Sequence, residues 1–346
     1  MKSLQKYVFI VIVLLFNSCQ APFSSQVSLK KAIEPVYPQE SIDKKEEGNV
    51  GLLLLVDKDG NVNNVEVQKS SGYEALDKSA VNYGYKLQFN PLRFKNPLEQ
   101  CWIRWEVGFR ANNGRGVNGG MGRFNVLVFH KTGEYKHESI DAGLDCLDEI
   151  ADKYCFSIYQ TDNSDEINDE NLSSFDVVLF LNTSGNILDE KEKNALENYI
   201  KKGGGFVGIH GASATEDDWE WYGKLIGAHF DDHPVIQEAT INVINKEHPS
   251  TKHLPQKWIW SDEWYNWKTE LDKKAEVLLT VDESTYKGGK HKEFHPVAWC
   301  QEFEGSRSWY TSLGHSEACY SDSLYISHLA GGIIWAARME ELIEVK

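Results

Sequence analysis

The chain has 346 residues, 41% of them hydrophobic, and a formal net charge of −16. At roughly 150 residues per domain that is about two domains' worth of globular chain, each with room for a core, and the composition excludes a disordered polymer. The acidic balance repels phosphates, so nucleic acid and anionic lipid headgroups are poor partners.

The first stretch reads as targeting rather than fold. Lys2 and Lys6 lead into an uninterrupted apolar run, Tyr7 to Phe16, about half of the roughly 20 residues that a membrane-spanning helix needs. It closes on Leu15-Phe16-Asn17-Ser18-Cys19. A small residue before a Cys at this point resembles the processing box of bacterial lipoproteins. The resemblance implies that residues 1–18 are a signal peptide and that Cys19 is lipidated. It also implies that the protein sits in the cell envelope on a lipid anchor. Gln20 in place of Asp implies the outer membrane, facing periplasm or surface. Residues 19–31 would then be a tether. The other cysteines, Cys101, Cys146, Cys155, Cys300 and Cys319, are widely spaced and form no CxxC metal pattern.

Residues 32–110 read as a small α+β domain. Gly48 to Val56 is a strand, Asp57-Lys58-Asp59-Gly60-Asn61 a hairpin turn, and Val62 to Val67 the return strand. Glu74 to Leu87 carries Leu76, Ala80, Tyr83 and Leu87 on one helical face, and Trp102 to Phe109 alternates like a half-buried strand. Tyr37-Pro38, Gly48-Asn49-Val50, the Asp57 to Val62 turn, Ser70-Ser71-Gly72, Leu76-Asp77 with Ala80, and Phe89 with Pro91 together resemble the TonB C-terminal domain. The resemblance implies β-augmentation, in which a sheet edge takes a short strand from an outer-membrane protein. Residues 111–122, rich in Gly and Asn, read as a flexible linker.

From residue 123 to 346 the pattern turns to strand–helix alternation, which means a parallel sheet with helices on both sides. Phe124 to Phe129, Phe156 to Tyr159, Phe175 to Leu181 and Phe206 to Ile209 are short apolar strands. A helix from about Asp189 stops at Gly203, which suits the left-handed position after a helix C-terminus. The loop at Glu134 to Glu138, the Asn182 turn and His210 all fall on the C-terminal edge of such a sheet, where ligands bind.

His137-Glu138-Ser139-Ile140, Gly208-Ile209-His210, Asp218 to Gly223, His233-Pro234, Asp262-Glu263-Trp264-Tyr265, His295 to Trp299, Tyr310 to His315 and Gly331 to Ala336 resemble the trehalose-utilisation (ThuA-like) family. The resemblance implies a class I glutamine-amidotransferase-like, flavodoxin-like α/β fold and a role in disaccharide or oxidised-sugar metabolism. Amidotransferases of that fold carry a nucleophilic Cys where this chain has His210, so thiol chemistry is not expected. The family's Asp before the His-Pro pair is Phe294 here, so either Glu293 takes its place or the site is altered.

His137, His210, His233, His295 and His315, with Glu263 and nearby Asp residues, could converge. Such a set suits zinc or another divalent metal, or metal-free general acid–base work on a sugar hydroxyl or keto group. The expected catalytic residues are His210, Glu263 and His295. Asn182, Asp218 and Trp264 are expected to bind substrate, and His137, His233 and His315 a metal. One or two of the clustered tryptophans would form a sugar platform. No nucleotide cofactor is expected. The leading expectation is an enzyme acting on a disaccharide or keto-sugar glycoside. The alternative is a non-catalytic carbohydrate-binding lipoprotein docked to an outer-membrane partner.

Overall fold

The computed structural model describes residues 30, 33, 35–89, 100–109, 116–121, 124–154, 156–340 and 342. The signal stretch, Cys19 and nearly all of the tether lie outside the described residues, as do Pro91 and residues 111–115 and 122 of the expected linker. No helix among the described residues is long and apolar enough to cross a membrane.

The first domain holds α1 (Gln39–Asp43), β1 (Gly48–Asp57), β2 (Val62–Lys69), α2 (Glu74–Gly84), β3 (Gln100–Phe109) and β4 (Gly116–Met121). Its sheet runs β2-β1-β3-β4, antiparallel throughout. The Asp57 carboxylate makes the β1–β2 turn by accepting from the backbone N–H of Asp59 and Asn61, at 3.0 and 2.9 Å. Leu76, Ala80 and Tyr83 of α2 pack on Val50, Leu52 and Leu54. One expectation fails here. Residues 116–121, read as linker, form strand β4 on β3. Backbone hydrogen bonds alone can hold an edge strand, so sheet pairing overrides a composition poor in strand formers.

The second domain contains β5 (Asn125–Phe129), α3 (Ile140–Tyr154), β6 (Ser157–Thr161), α4 (Asp169–Leu172), β7 (Val177–Leu181), α5 (Glu190–Lys201), β8 (Gly205–Ile209) and α6 (Glu220–Ile226). There follow β9 (Phe230–Asp232), β10 (Gln237–Val243), β11 (Lys257–Asp262), β12 (Asn266–Trp267), β13 (Glu276–Asp282), β14 (His295–Phe303), β15 (Ser306–Thr311) and α7 (Ser323–Ala336). A nine-stranded sheet runs β11-β10-β13-β14-β15-β8-β7-β5-β6. Strand periodicity splits its side chains between two cores. Val126, Val128, Leu179 and Val207 face α3 and α7; Leu127, Phe129, Phe180 and Phe206 face α5 and α6. Asp189 caps α5 with Glu192 in a capping box, and Gly203 takes a φ of +95° after the helix end.

The sheet is parallel only from β15 to β6. Beyond β15 it continues as an antiparallel extension, where the alternation of the earlier strands had implied a parallel sheet. The reversal is the β14–β15 hairpin. Its two turn residues, Glu304 and Gly305, both have positive φ, as a type I′ turn needs.

Helix α7 docks so closely that a Cβ on Gly331 would sit 2.4 Å from the backbone of Ser250. Gly331→Ala is therefore expected to cost about 1–3 kcal/mol or more, seen as a fall in melting temperature; an unchanged melt would refute the close approach. Ser250 is also held by histidines. His328 Nδ1 meets the Ser250 carbonyl at 2.8 Å, and His248 Nδ1 meets its hydroxyl at 2.8 Å. Burial pushes both imidazoles down to about 3. The unfolded chain thus takes up protons that the native state refuses, so stability falls as pH drops from about 6.5 towards 3. Urea unfolding should show this decline, with a shallower slope in His328→Gln. Equal stability at pH 7 and pH 4 would contradict it.

Candidate active site

Strand β8 ends at Ile209, and His210 follows at the C-terminal edge with a φ of +46°. A non-glycine residue in this region is held by its surroundings. Here the Tyr310 hydroxyl donates to the His210 carbonyl at 2.8 Å, and His210 Nδ1 donates to the Ser312 carbonyl at 2.6 Å. That bond fixes the tautomer, because a carbonyl only accepts. The lone pair is left on Nε2. It faces the Tyr265 hydroxyl at 2.8 Å and Glu263 Oε2 at 3.5 Å.

Three further segments arrive at this point. His137 comes from the loop before α3, Glu263 from the chain after β11, and His315 from the chain after β15. One donor atom from each of His137, His210, Glu263 and His315 lies within 4.8 Å of the others. His315 Nδ1 is 3.0 Å from Glu263 Oε2 but lacks hydrogen-bond alignment to it. His137 Nδ1 is buried with no hydrogen-bond partner. Burial, then the neighbouring His210 and His315, push the His137 imidazole down to about 3, so it is neutral near pH 7. Burial works to raise Glu263, but His210 and His315 outweigh it and hold the carboxyl well below its usual range. Glu263 in turn raises His315. Three imidazoles and one carboxylate, with His137 Nδ1 and His315 Nδ1 lacking hydrogen-bond partners, form a donor set that a divalent cation fits.

Beside this set opens a cavity of about 670 Å³, lined by Glu134, Tyr135, Asp218, Phe230, Glu263 and Tyr265 among others. His233 stands on its wall, its Nδ1 donating to the Pro234 carbonyl and its Nε2 3.4 Å from Glu263 Oε1. His233 lies outside the four-donor cluster. Asp218 lines the cavity.

The remaining expected site residues lie elsewhere. His295 is fully buried one layer behind, its Nδ1 2.9 Å from Glu283 Oε1 and its Nε2 donating to the Tyr265 carbonyl at 2.8 Å. Its carboxylate partner is Glu283, not the exposed Glu293. Asn182 is buried and braces the β7 end, donating to Ser139 Oγ and accepting from the Gly211 N–H. Trp264 is buried with Nε1 donating to the Gln237 carbonyl, so it offers no sugar platform. Trp258 and Trp267 are buried too. The aromatic wall is Tyr135, Phe230 and Tyr265. Tyr265 was not singled out from sequence. The signal was alternation: in an extended segment Glu263 and Tyr265 share one side, while Asp262 and Trp264 take the other.

Cys300 and Cys319 are buried, and burial pushes each thiol up to about 12.

A family model described as trehalose utilisation (ThuA) matches residues 125–336, and one for the Gram-negative bacterial TonB protein C-terminal matches residues 33–110. Among solved structures, a ThuA-like protein from Bacteroides uniformis is 26% identical with a TM-score of 0.54, covering 62% of this chain and 91% of that one. Another ThuA-like protein, from Parabacteroides merdae, is 20% identical with a TM-score of 0.52, covering 62% and 90%, and speaks for the fold. The first domain is similar to TonB proteins. Protein tonB2 of Pseudomonas aeruginosa is 35% identical over 78 residues, 22% of this chain and 29% of that protein. Protein TonB of Xanthomonas campestris pv. campestris is 34% identical over 89 residues, 26% and 40%. The chain thus spans 29–40% of the length of these curated relatives. With the model match running through every segment that supplies the four-donor cluster, the chain belongs to the ThuA (trehalose utilisation) family, with a TonB C-terminal domain ahead of it.

Proposed function

We propose that this is a cell-envelope enzyme whose ThuA domain acts on a disaccharide or keto-sugar glycoside, with a divalent cation held by His137, His210, Glu263 and His315. The observation that carries this reading is the convergence of those four donors, with His137 Nδ1 and His315 Nδ1 left without partners, beside a cavity that His137 and Glu263 also line. The TonB-like domain supports the envelope location and an envelope-protein partner. Lipidation at Cys19 and an outer-membrane position are part of the same proposal.

A proton next to a ketone leaves readily when a base stands near the C–H and a positive group near the carbonyl oxygen. A bound divalent ion would supply that polarisation. His233 is the better-placed proton acceptor: its Nδ1 proton is committed to Pro234, so Nε2 carries the lone pair at the cavity wall. Glu263, held well below the usual carboxylate range, is a weak base and serves as an anionic anchor for the imidazoles. Burial pushes the Tyr265 phenol well above its usual pKa, so it keeps its proton and can donate it. His295 acts through Tyr265, whose carbonyl it holds.

The test is turnover of 3-keto glycosides by the purified protein. The expected result is release of the aglycone, reduced by roughly 10²–10⁴-fold in His233→Ala and abolished in His210→Ala. Equal rates in wild type and both variants would overturn the assignment.

A further inference from the structure

Glu134, Asp217, Asp218, Asp231 and Glu263 line the cavity. Lys268, the lysine on its wall among the described residues, is already paired with Asp217. Asp231 is paired with Lys290 at 3.1 Å. The carboxylates of Glu134 and Asp218 have no hydrogen-bond or ion-pair partner among the described residues. A second observation marks the place as a ligand site: His137, only 5% exposed, lines the same cavity with an unpartnered Nδ1.

We infer that this cavity selects uncharged polyhydroxy ligands and rejects phosphorylated or carboxylated ones, with Glu134 and Asp218 as the hydroxyl acceptors. The inference rests on the carbohydrate reading above and narrows it. An ionised carboxylate only accepts hydrogen bonds, so it meets a sugar hydroxyl as a donor and repels a phosphate. Tyr135, 60% exposed, and Phe230 add apolar faces for the C–H side of a sugar ring. Charge decides the sign. Five carboxylates face Lys268 on the wall and Lys290 paired behind Asp231, and a divalent ion on the His/Glu set would offset two more charges and still leave the wall negative by one. The volume of about 670 Å³ lies within the range of small-molecule sites.

Calorimetric titration of the full chain with trehalose and cellobiose, each against its 6-phosphate, tests the inference. The neutral sugars are expected to bind at least tenfold more tightly, about 1.4 kcal/mol. The gap should narrow in a Glu134→Gln, Asp218→Asn double variant whose melting temperature is unchanged. Phosphates that bind as tightly as the neutral sugars, or a gap that the double variant leaves untouched, would overturn it. If neither class binds to protein that still retains its cation, the carbohydrate reading itself fails and this inference goes with it.

Discussion

Protein purified without chelator is expected to carry about one divalent ion per chain, and His137→Ala or Glu263→Ala to lose it. The reason is the lone-pair geometry. His210 Nδ1 spends its proton on the Ser312 carbonyl, so Nε2, which accepts from the Tyr265 hydroxyl at 2.8 Å, also faces a negative Glu263 oxygen at 3.5 Å. His137 stays neutral down to about pH 3 and finds no hydrogen-bond partner for Nδ1. A cation between these atoms would give the orphaned histidine nitrogens a partner and offset the approach of His210 Nε2 to Glu263. Removing an outer-shell partner of such a site typically weakens metal binding 10–100-fold, so loss of a direct donor should weaken it further. Ion present at about 100 times its Kd would add about 2.7 kcal/mol of stability. Chelator should therefore lower the wild-type melting temperature and leave the two variants unmoved. Protons compete for the imidazoles, so retention should weaken in acid. Elemental analysis that finds no ion, before or after reconstitution, would remove the cation from the mechanism.

Asp262→Ala is expected to destabilise the second domain by about 1–3 kcal/mol or more, the scale for leaving buried hydrogen-bond donors without a partner. Asp262 is 1% exposed. Its carboxylate accepts from the N–H groups of Glu263, Gly314 and His315 at 3.0, 2.9 and 3.1 Å, and from Trp260 Nε1 at 2.8 Å. Truncation leaves these buried donors unpaired. Asp262→Asn keeps one accepting oxygen and should lose less. The same bonds tie the Glu263 segment to the His315 segment, so the Ala variant should also bind a cation more weakly. Urea unfolding beside a metal titration reads both effects. A loss under 1 kcal/mol with unaltered cation binding would show that Asp262 is dispensable to the site.

How much of this was legible beforehand follows from the range of the forces involved. The parallel half of the sheet declared itself locally. Strands such as Val177–Leu181 are apolar on both faces, and α5 shows its cap, its periodic face and its glycine stop within a short window. His210 was legible for the same reason: it directly follows a buried strand, and position on a parallel sheet implies the ligand edge. The extension beyond β15 was not legible, because it depends on a Glu304-Gly305 turn with two positive φ values, and Glu-Gly is a weak signal for such a turn. Strand β4 was hidden by its own composition.

The sequence by itself determined the two domain types, the succession of short apolar strands and helices along the chain and the residue types available for chemistry. The tertiary structure decided which of those residues meet. His137, His210, Glu263 and His315 come from four separated segments, and only strand order and loop length bring their donor atoms within 4.8 Å. It also separated His295 from Glu263 and turned Trp264 inward while Tyr265 faced the cavity. Local patterns report burial and backbone conformation, since neighbours in the chain set those. Convergence of distant side chains is set by packing between elements, which no local window contains.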